Sequence, residues 1–123
     1  GAMMDMQTTL SKFLAMGMSL QDVIKTSTWN PANEIGHPEL GHLSVGAVAD
    51  VAVLDLLQGT FGYRDSYEGR LEGDQRLICD LTMLDGKVVW DWNSRSGVDY
   101  RGQDPSTGVR NPEGLIMPPL ELT

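Results

Sequence analysis

The 123-residue sequence predicts an α+β fold in which helices come first and strands follow. Three observations carry that reading. Apolar residues recur at spacings of three and four as far as Ile24, the period of a buried helix face. After Ile35 that period is lost, and glycines and prolines punctuate a loop. From Val51 onward the apolar runs are short, and two of them are joined by Asp85-Gly86, a two-residue hairpin loop.

The elements follow in order. Met6, Leu10, Phe13 and Leu14 mark one face of a first helix, which Gly17 ends. Ser19 is placed to cap a second helix, with Asp22 in its first turn and Leu20, Val23 and Ile24 as its buried stripe. Thr26-Ser27-Thr28 weakens this helix. Asn30-Pro31 stops it, because the residue before proline avoids the α region, and Pro31 can open a short further turn. Gly36, Pro38, Gly41 and Gly46 make a linker. Ala32 is small enough for close packing, and Gly41, Gly46 and Ala47 allow tight turns. Asp50 can satisfy backbone donors in the turn before the next strand.

Val51-Ala52-Val53-Leu54-Asp55-Leu56 reads as a buried strand. Residues 58–76 read as irregular because Gly59, Gly62, Gly69 and Gly73 interrupt them, with Phe61, Tyr63 and Tyr67 available to a short edge strand. Residues 77–84 and 87–92 form the hairpin, and Gly86 tolerates the positive φ of a type I′ turn. Trp90 and Trp92 alternate with Val88 on one face of the second strand, as sheet-packing surface. From Asn93 the chain has Pro105, Pro112, Pro118 and Pro119 and little periodicity, which predicts an extended or disordered tail.

Composition narrows the function classes. The net charge is −8, with 41% hydrophobic and 21% charged residues. A chain this acidic is a poor partner for nucleic-acid phosphates or an anionic membrane surface, and we expect neither. No apolar run is long enough to span a membrane and no signal peptide is visible, so the cytoplasm is the expected compartment. Gly1-Ala2-Met3 reads as a cloning scar. The single cysteine, Cys79, cannot form an internal disulfide and reads as a buried structural thiol without a base to activate it.

A longer ordered series carries a family likeness. It runs Met18-Ser19-Leu20-Gln21-Asp22-Val23-Ile24, then Thr28-Trp29-Asn30-Pro31-Ala32, then Gly41-His42-Leu43-Ser44-Val45-Gly46-Ala47-Val48-Ala49-Asp50 and the strand after it. The series resembles the C-terminal end of the amidohydrolase superfamily, which includes dihydroorotases, deaminases and deacetylases. Phe61-Gly62-Tyr63-Arg64-Asp65 and Leu81-Thr82-Met83-Leu84-Asp85-Gly86-Lys87-Val88-Val89-Trp90 are similar to the deacetylase branch. The resemblance covers roughly residues 6–93.

That resemblance implies a parent with a (β/α)8 barrel and a composite β-sandwich built from strands at both chain ends. The N-terminal helices here would come from the end of the barrel, and the small sheet would be the C-terminal share of the sandwich. The implied division is a scar at residues 1–3, a helical segment at 4–35, a partial sandwich at 36–93 and a tail at 94–123. The family's metal ligands, a His-x-His pair, a carboxylated Lys or Glu, two further His and an Asp, all lie on barrel strands upstream of the last barrel helix. None has a counterpart here, so we assign no catalytic, cofactor-binding or metal residue. The parent would use a divalent metal, zinc by resemblance, to lower the pKa of bound water and polarise the scissile carbonyl of an amide or ester. No cofactor is expected in this segment itself.

Other candidate sites are weaker. His37-Pro38-Glu39-Leu40-Gly41-His42 offers two imidazoles and a carboxylate, but Pro38 and Gly41 oppose the helix of a His-Glu-x-x-His motif, and we read both as exposed loop histidines. The carboxylate pairs Asp65 and Glu68, and Glu72 and Asp74, read as solvated loop side chains, and no phosphate-binding glycine loop is present. Met3, Met4, Met6, Met16 and Met18 would pack against a barrel in the parent and form an open apolar face here. With strand edges also unpaired, the chain is expected to self-associate. Two functions stay open beside the non-catalytic segment of an amidohydrolase: a small self-associating interaction module, and a small protein binding metal through His37 and His42.

Overall fold

The structure is a computed structural model, and it describes residues 5–94, 96 and 97. Three helices, α1 (Met6–Ala15), α2 (Leu20–Ser27) and α3 (Trp29–Glu34), precede three strands, β1 (Val51–Arg64), β2 (Arg70–Leu84) and β3 (Lys87–Asp91). The strands form one antiparallel sheet in the order β1-β2-β3. The fold is α+β, as the change of period predicts.

The helix boundaries have local causes. The Asp5 carboxylate caps α1 by accepting from the Thr8 amide at 2.6 Å. Gly17, at φ +95°, lets the chain turn so that its amide donates to Leu14 and that of Met18 to Phe13. Those two bonds satisfy carbonyls that the helix end would otherwise strand. Ser19 caps α2 as expected: its hydroxyl oxygen accepts from the Asp22 amide at 3.1 Å and its proton goes to the Asp22 carboxylate at 2.7 Å.

The break after α2 differs from the expectation. Asn30 is helical, and the interruption falls at Thr28, with φ −129° and ψ −79°. Pro31 is then the third residue of α3, where a missing amide proton costs nothing because first-turn amides have no intrahelical acceptor.

The apolar stripes are only partly covered. Leu10, Leu14, Val23 and Leu77 form the core, with Leu54 and Leu56 packed against it. Burying such side chains contributes about 1.5–3 kcal/mol each. Met6, Met16, Phe13 and Leu20 remain exposed, so the expected α2 stripe reduces to Val23 with half-buried Ile24. Met3 and Met4 lie outside the described residues.

The sheet is more regular than the glycines suggested. Residues 58–64 and 70–76 are not irregular: they continue β1 and β2 as a paired ribbon. Gly59 lies where β1 carries one residue more than β2, between Gln58 and Phe61, so it marks a bulge. Gly73 lies where α1 comes so close that a Cβ would stand 2.7 Å from that of Ala15. Tyr67 is not in a strand but in the connecting turn and is exposed. Two further register shifts bend the sheet. One leaves Asp80 as the extra residue of β2, buried, with its carbonyl accepting from the Trp92 amide at 2.7 Å. The other leaves Val89 extra in β3. Trp90 therefore pairs with Thr82 and Val88 with Met83, which places Trp90 and Val88 on opposite faces rather than on one.

Helix α1 lies along β2. The Ser11 hydroxyl oxygen accepts from the Leu77 amide at 2.9 Å, and the Gln7 side-chain oxygen accepts from the Cys79 amide. Four helical residues rise about 6 Å and two strand residues about 6.6 Å, so Gln7 and Ser11 match alternate amides of the strand. Ala15 continues the row opposite Gly73.

Both turns of β2 are fixed by carboxylates. Asp85 and Gly86, at φ 49° and 74°, form the expected two-residue loop. Asp50 does not serve its own turn: its carboxylate accepts from the Asp85 amide at 2.8 Å, while Gly86 donates to the Ala49 carbonyl at 2.9 Å. At the other end Asp65 accepts from the amides of Tyr67 at 2.8 Å and Gly69 at 2.7 Å. The linker is pinned at Gly41 as well, where a Cβ would stand 2.5 Å from the Thr28 carbonyl oxygen. Apart from Ser94, Ser96 and Gly97, the tail expected over residues 94–123 lies outside the described residues. Among the described residues no helix is long and apolar enough to cross a membrane.

Candidate functional site

A half-open cavity of about 770 Å³ lies between the helices and the sheet. Its floor is the sheet face carrying Ala52, Leu54, Cys79, Thr82 and Trp90, and α1, α2 and the 41–43 linker form its walls. The polar groups reaching it are already engaged. The Asp5 carboxylate caps α1, and its pKa is lowered chiefly by the Thr8 amide. The Asp50 carboxylate holds the hairpin turn.

Cys79 is half-buried rather than fully buried, with its sulfur 3.3 Å from the Thr82 hydroxyl. A hydroxyl is no general base, so this contact does not make an activated nucleophile. The lining is mostly apolar, with Asp5, His42, Asp50 and the Cys79 thiol among the residues that edge it.

The two histidines go to different partners. His37 Nδ1 meets a Glu39 carboxylate oxygen at 2.8 Å in an exposed pair, and this hydrogen bond holds the Glu39 carboxyl below its ordinary range. His42 Nδ1 accepts from the Ser44 amide at 3.3 Å, and its ring stands edge-on to Trp29 at 5.7 Å between centroids. Among the described residues no three His, Cys, Asp or Glu side chains are grouped to hold a metal ion. A catalytic zinc takes three protein ligands, so the donors present do not fit such a centre. Asp65 is spent on its turn, with its pKa lowered by the Gly69 amide first and the Tyr67 amide second. Glu68, Glu72 and Asp74 are exposed.

Sequence reasoning missed Asp5, Gln7 and Ser11. The signal for Asp5 was a carboxylate just ahead of the first apolar residue. For the other two it was a row of short or polar residues, Gln7, Ser11 and Ala15, at four-residue spacing beside the apolar stripe.

The amidohydrolase family model matches residues 1–89. The chain belongs to this family. Within 62 residues this amidohydrolase is 39% identical to a deacetylase of Brucella anthropi and 37% identical to a deacetylase of Agrobacterium fabrum. Each alignment covers 50% of this chain and 15% of the relative, so the chain spans a small part of the curated proteins it matches. The crystal structure of an adenine deaminase superposes on 71% of this chain with a TM-score of 0.66, at 22% identity and over 23% of that protein. That likeness is one of fold. The family divalent metal finds no matching donor set among the described residues of this amidohydrolase.

Proposed function

We propose that the chain is a non-catalytic C-terminal segment of a metal-dependent amidohydrolase, and that its parent hydrolyses amide, N-acyl or related ester bonds. The observation that carries this reading is the mismatch of spans: the family match covers residues 1–89, yet the chain covers 15% of its deacetylase relatives and groups no metal-binding donors among its described residues. In this reading α1 to α3 finish a barrel, and the three strands are one share of a composite sandwich. The deacetylase relatives favour an N-acyl substrate for the parent.

The test is hydrolysis of N-acyl amino acids and simple esters by the purified chain, with zinc supplied. No turnover above the metal-only rate is expected. Turnover that scales with chain concentration and disappears with a chelator would overturn the proposal. A second reading, a self-associating module without enzymatic activity, draws on one observation: among the described residues β1 pairs on one side only.

A further inference from the structure

We propose that Asp85 is a site of spontaneous covalent modification, an aspartate that isomerises through a cyclic imide, and that the linker docked on it at Ala49 and Asp50 sets the rate. This goes beyond the hydrolase reading and holds whether or not that reading does.

The chemistry starts from the sequence. Asp85-Gly86 is the one place in the chain where an aspartate or asparagine precedes glycine. Glycine has no side chain to shield its nitrogen, so that nitrogen can reach the carboxyl carbon of the residue before it. Both residues are exposed, which admits water. The Gly86 nitrogen attacks Cγ of Asp85 in its neutral acid form. A nitrogen–carbon bond forms, and the carboxyl hydroxyl leaves as water with the amide proton. Water then reopens the succinimide at either carbonyl. Breaking the new bond restores Asp85. Breaking the original peptide bond instead leaves Gly86 joined through the side chain, as an isoaspartate. Nothing is oxidised or reduced, and the mass is unchanged.

The fold holds this reaction back. The Gly86 N–H donates to the Ala49 carbonyl at 2.9 Å, so the attacking nitrogen is engaged. The Asp85 N–H donates to the Asp50 carboxylate at 2.8 Å. With φ 49° and 74° the two residues hold a type I′ turn, and ring closure requires the peptide between them to swing out of it. Reaction therefore passes through a locally opened loop, at a rate set by how often the loop opens. Two of the bonds that keep it shut come from the linker, 35 residues back in the chain, and not from the hairpin. Asp65 is the contrast: its carboxylate is itself occupied by the amides of Tyr67 and Gly69.

An isoaspartate lengthens the two-residue loop by one backbone carbon. It would release the linker and loosen the pairing that sets Trp90 beside Thr82 on the cavity floor. The modification thus marks chains whose linker has come away.

The full chain, warmed at mildly acidic pH, tests the proposal. Isoaspartate is read by enzymatic methylation and located by peptide mass mapping, with a free peptide of residues 82–89 as the unrestrained reference. Wild type should isomerise at Asp85 more slowly than the peptide. Asp50→Ala removes the acceptor and should speed the reaction about tenfold. Asp50→Asn keeps an uncharged, weaker acceptor and should speed it about threefold. Deamidation of exposed Asn93, read by its mass gain, reports general loosening and should be the same in all three proteins. A wild-type rate equal to that of the peptide overturns the proposal. So does an Asp50→Ala rate equal to wild type, or an acceleration that Asn93 shares. Should Asp50→Ala fail to fold, Asp50→Asn decides: a rate between wild type and peptide supports the linker's role, and a wild-type rate overturns it.

Discussion

The two halves of the β1–β2 ribbon are held in different ways. The near half, around Leu77, lies against helices: Leu77 is 2% exposed and Val23 1%, and Ser11 is buried between helix and strand. The far half, from Gln58 to Gln75, rests on Tyr63, which is buried and donates its hydroxyl to the Gln75 carbonyl at 3.0 Å, and on the Asp65 turn. Its terminal turn closes through bonds within five residues. The near half is fixed by contacts across 66 residues of sequence. The far half also meets α1, through the Lys12 amine donating to the Arg64 carbonyl at 2.7 Å and through Ala15 against Gly73, but its turn is closed by local chemistry, so damage to each half should spread differently.

The largest effect is expected at Leu77. Leu77→Ala removes a side chain of the core it shares with Leu10, Leu14 and Val23 and should cost about 2–5 kcal/mol, seen as a lowered denaturant midpoint for the whole chain. If the far half alone lost hydrogen-exchange protection, the division drawn above would be wrong. Ser11→Ala is the finer probe. It removes no apolar contact but leaves the Leu77 amide without its acceptor in a buried seam, at about 1–3 kcal/mol. A loss confined to the near half and to α1 would sharpen the comparison.

The smallest effect belongs to Asp65. Its carboxylate accepts two turn amides, so its folded pKa lies below the ordinary 3.8. The stability it adds is present above that ordinary value and is lost as pH falls through the lower folded value. On acidification the amides of Tyr67 and Gly69 should lose protection before those of Leu77 and Cys79. In Asp65→Asn this early step should vanish, because the amide does not titrate. Simultaneous loss at both places would show that the halves are one cooperative unit.

The same division decides how much could be read from the sequence. The caps at Ser19 and Gly17 and the Asp85-Gly86 loop are local devices, and each stands where its residues placed it. The continuation of the ribbon through residues 58–76 was hidden because Gly59 and Gly73 read as interruptions. Their reasons, a bulge and the approach of Ala15, belong to neighbours distant in sequence. Asp50 was recognised as a turn acceptor, but its donor is 35 residues away in another turn. The faces of Trp90 and Val88 were misassigned because one extra residue at Val89 inverts the alternation, and a bulge leaves no mark in composition. The family series itself was legible. Its connection of a Thr28 break, an Ala32 contact and a Gly41 close approach needed coordinates.

The linker between helices and sheet is nailed at two points, at Gly41 against Thr28 and at Asp50 against Asp85. Between them Val45 stands clear of the protein, Leu43 is exposed at the cavity rim, and Ala47 closes a short turn onto Ser44 at 3.0 Å. Strain introduced there has nowhere to propagate, because the anchors on either side absorb it. This stretch is therefore the natural port for protein engineering: an epitope, a fluorophore or a guest domain spliced in after Ser44 should ride on the molecule as cargo.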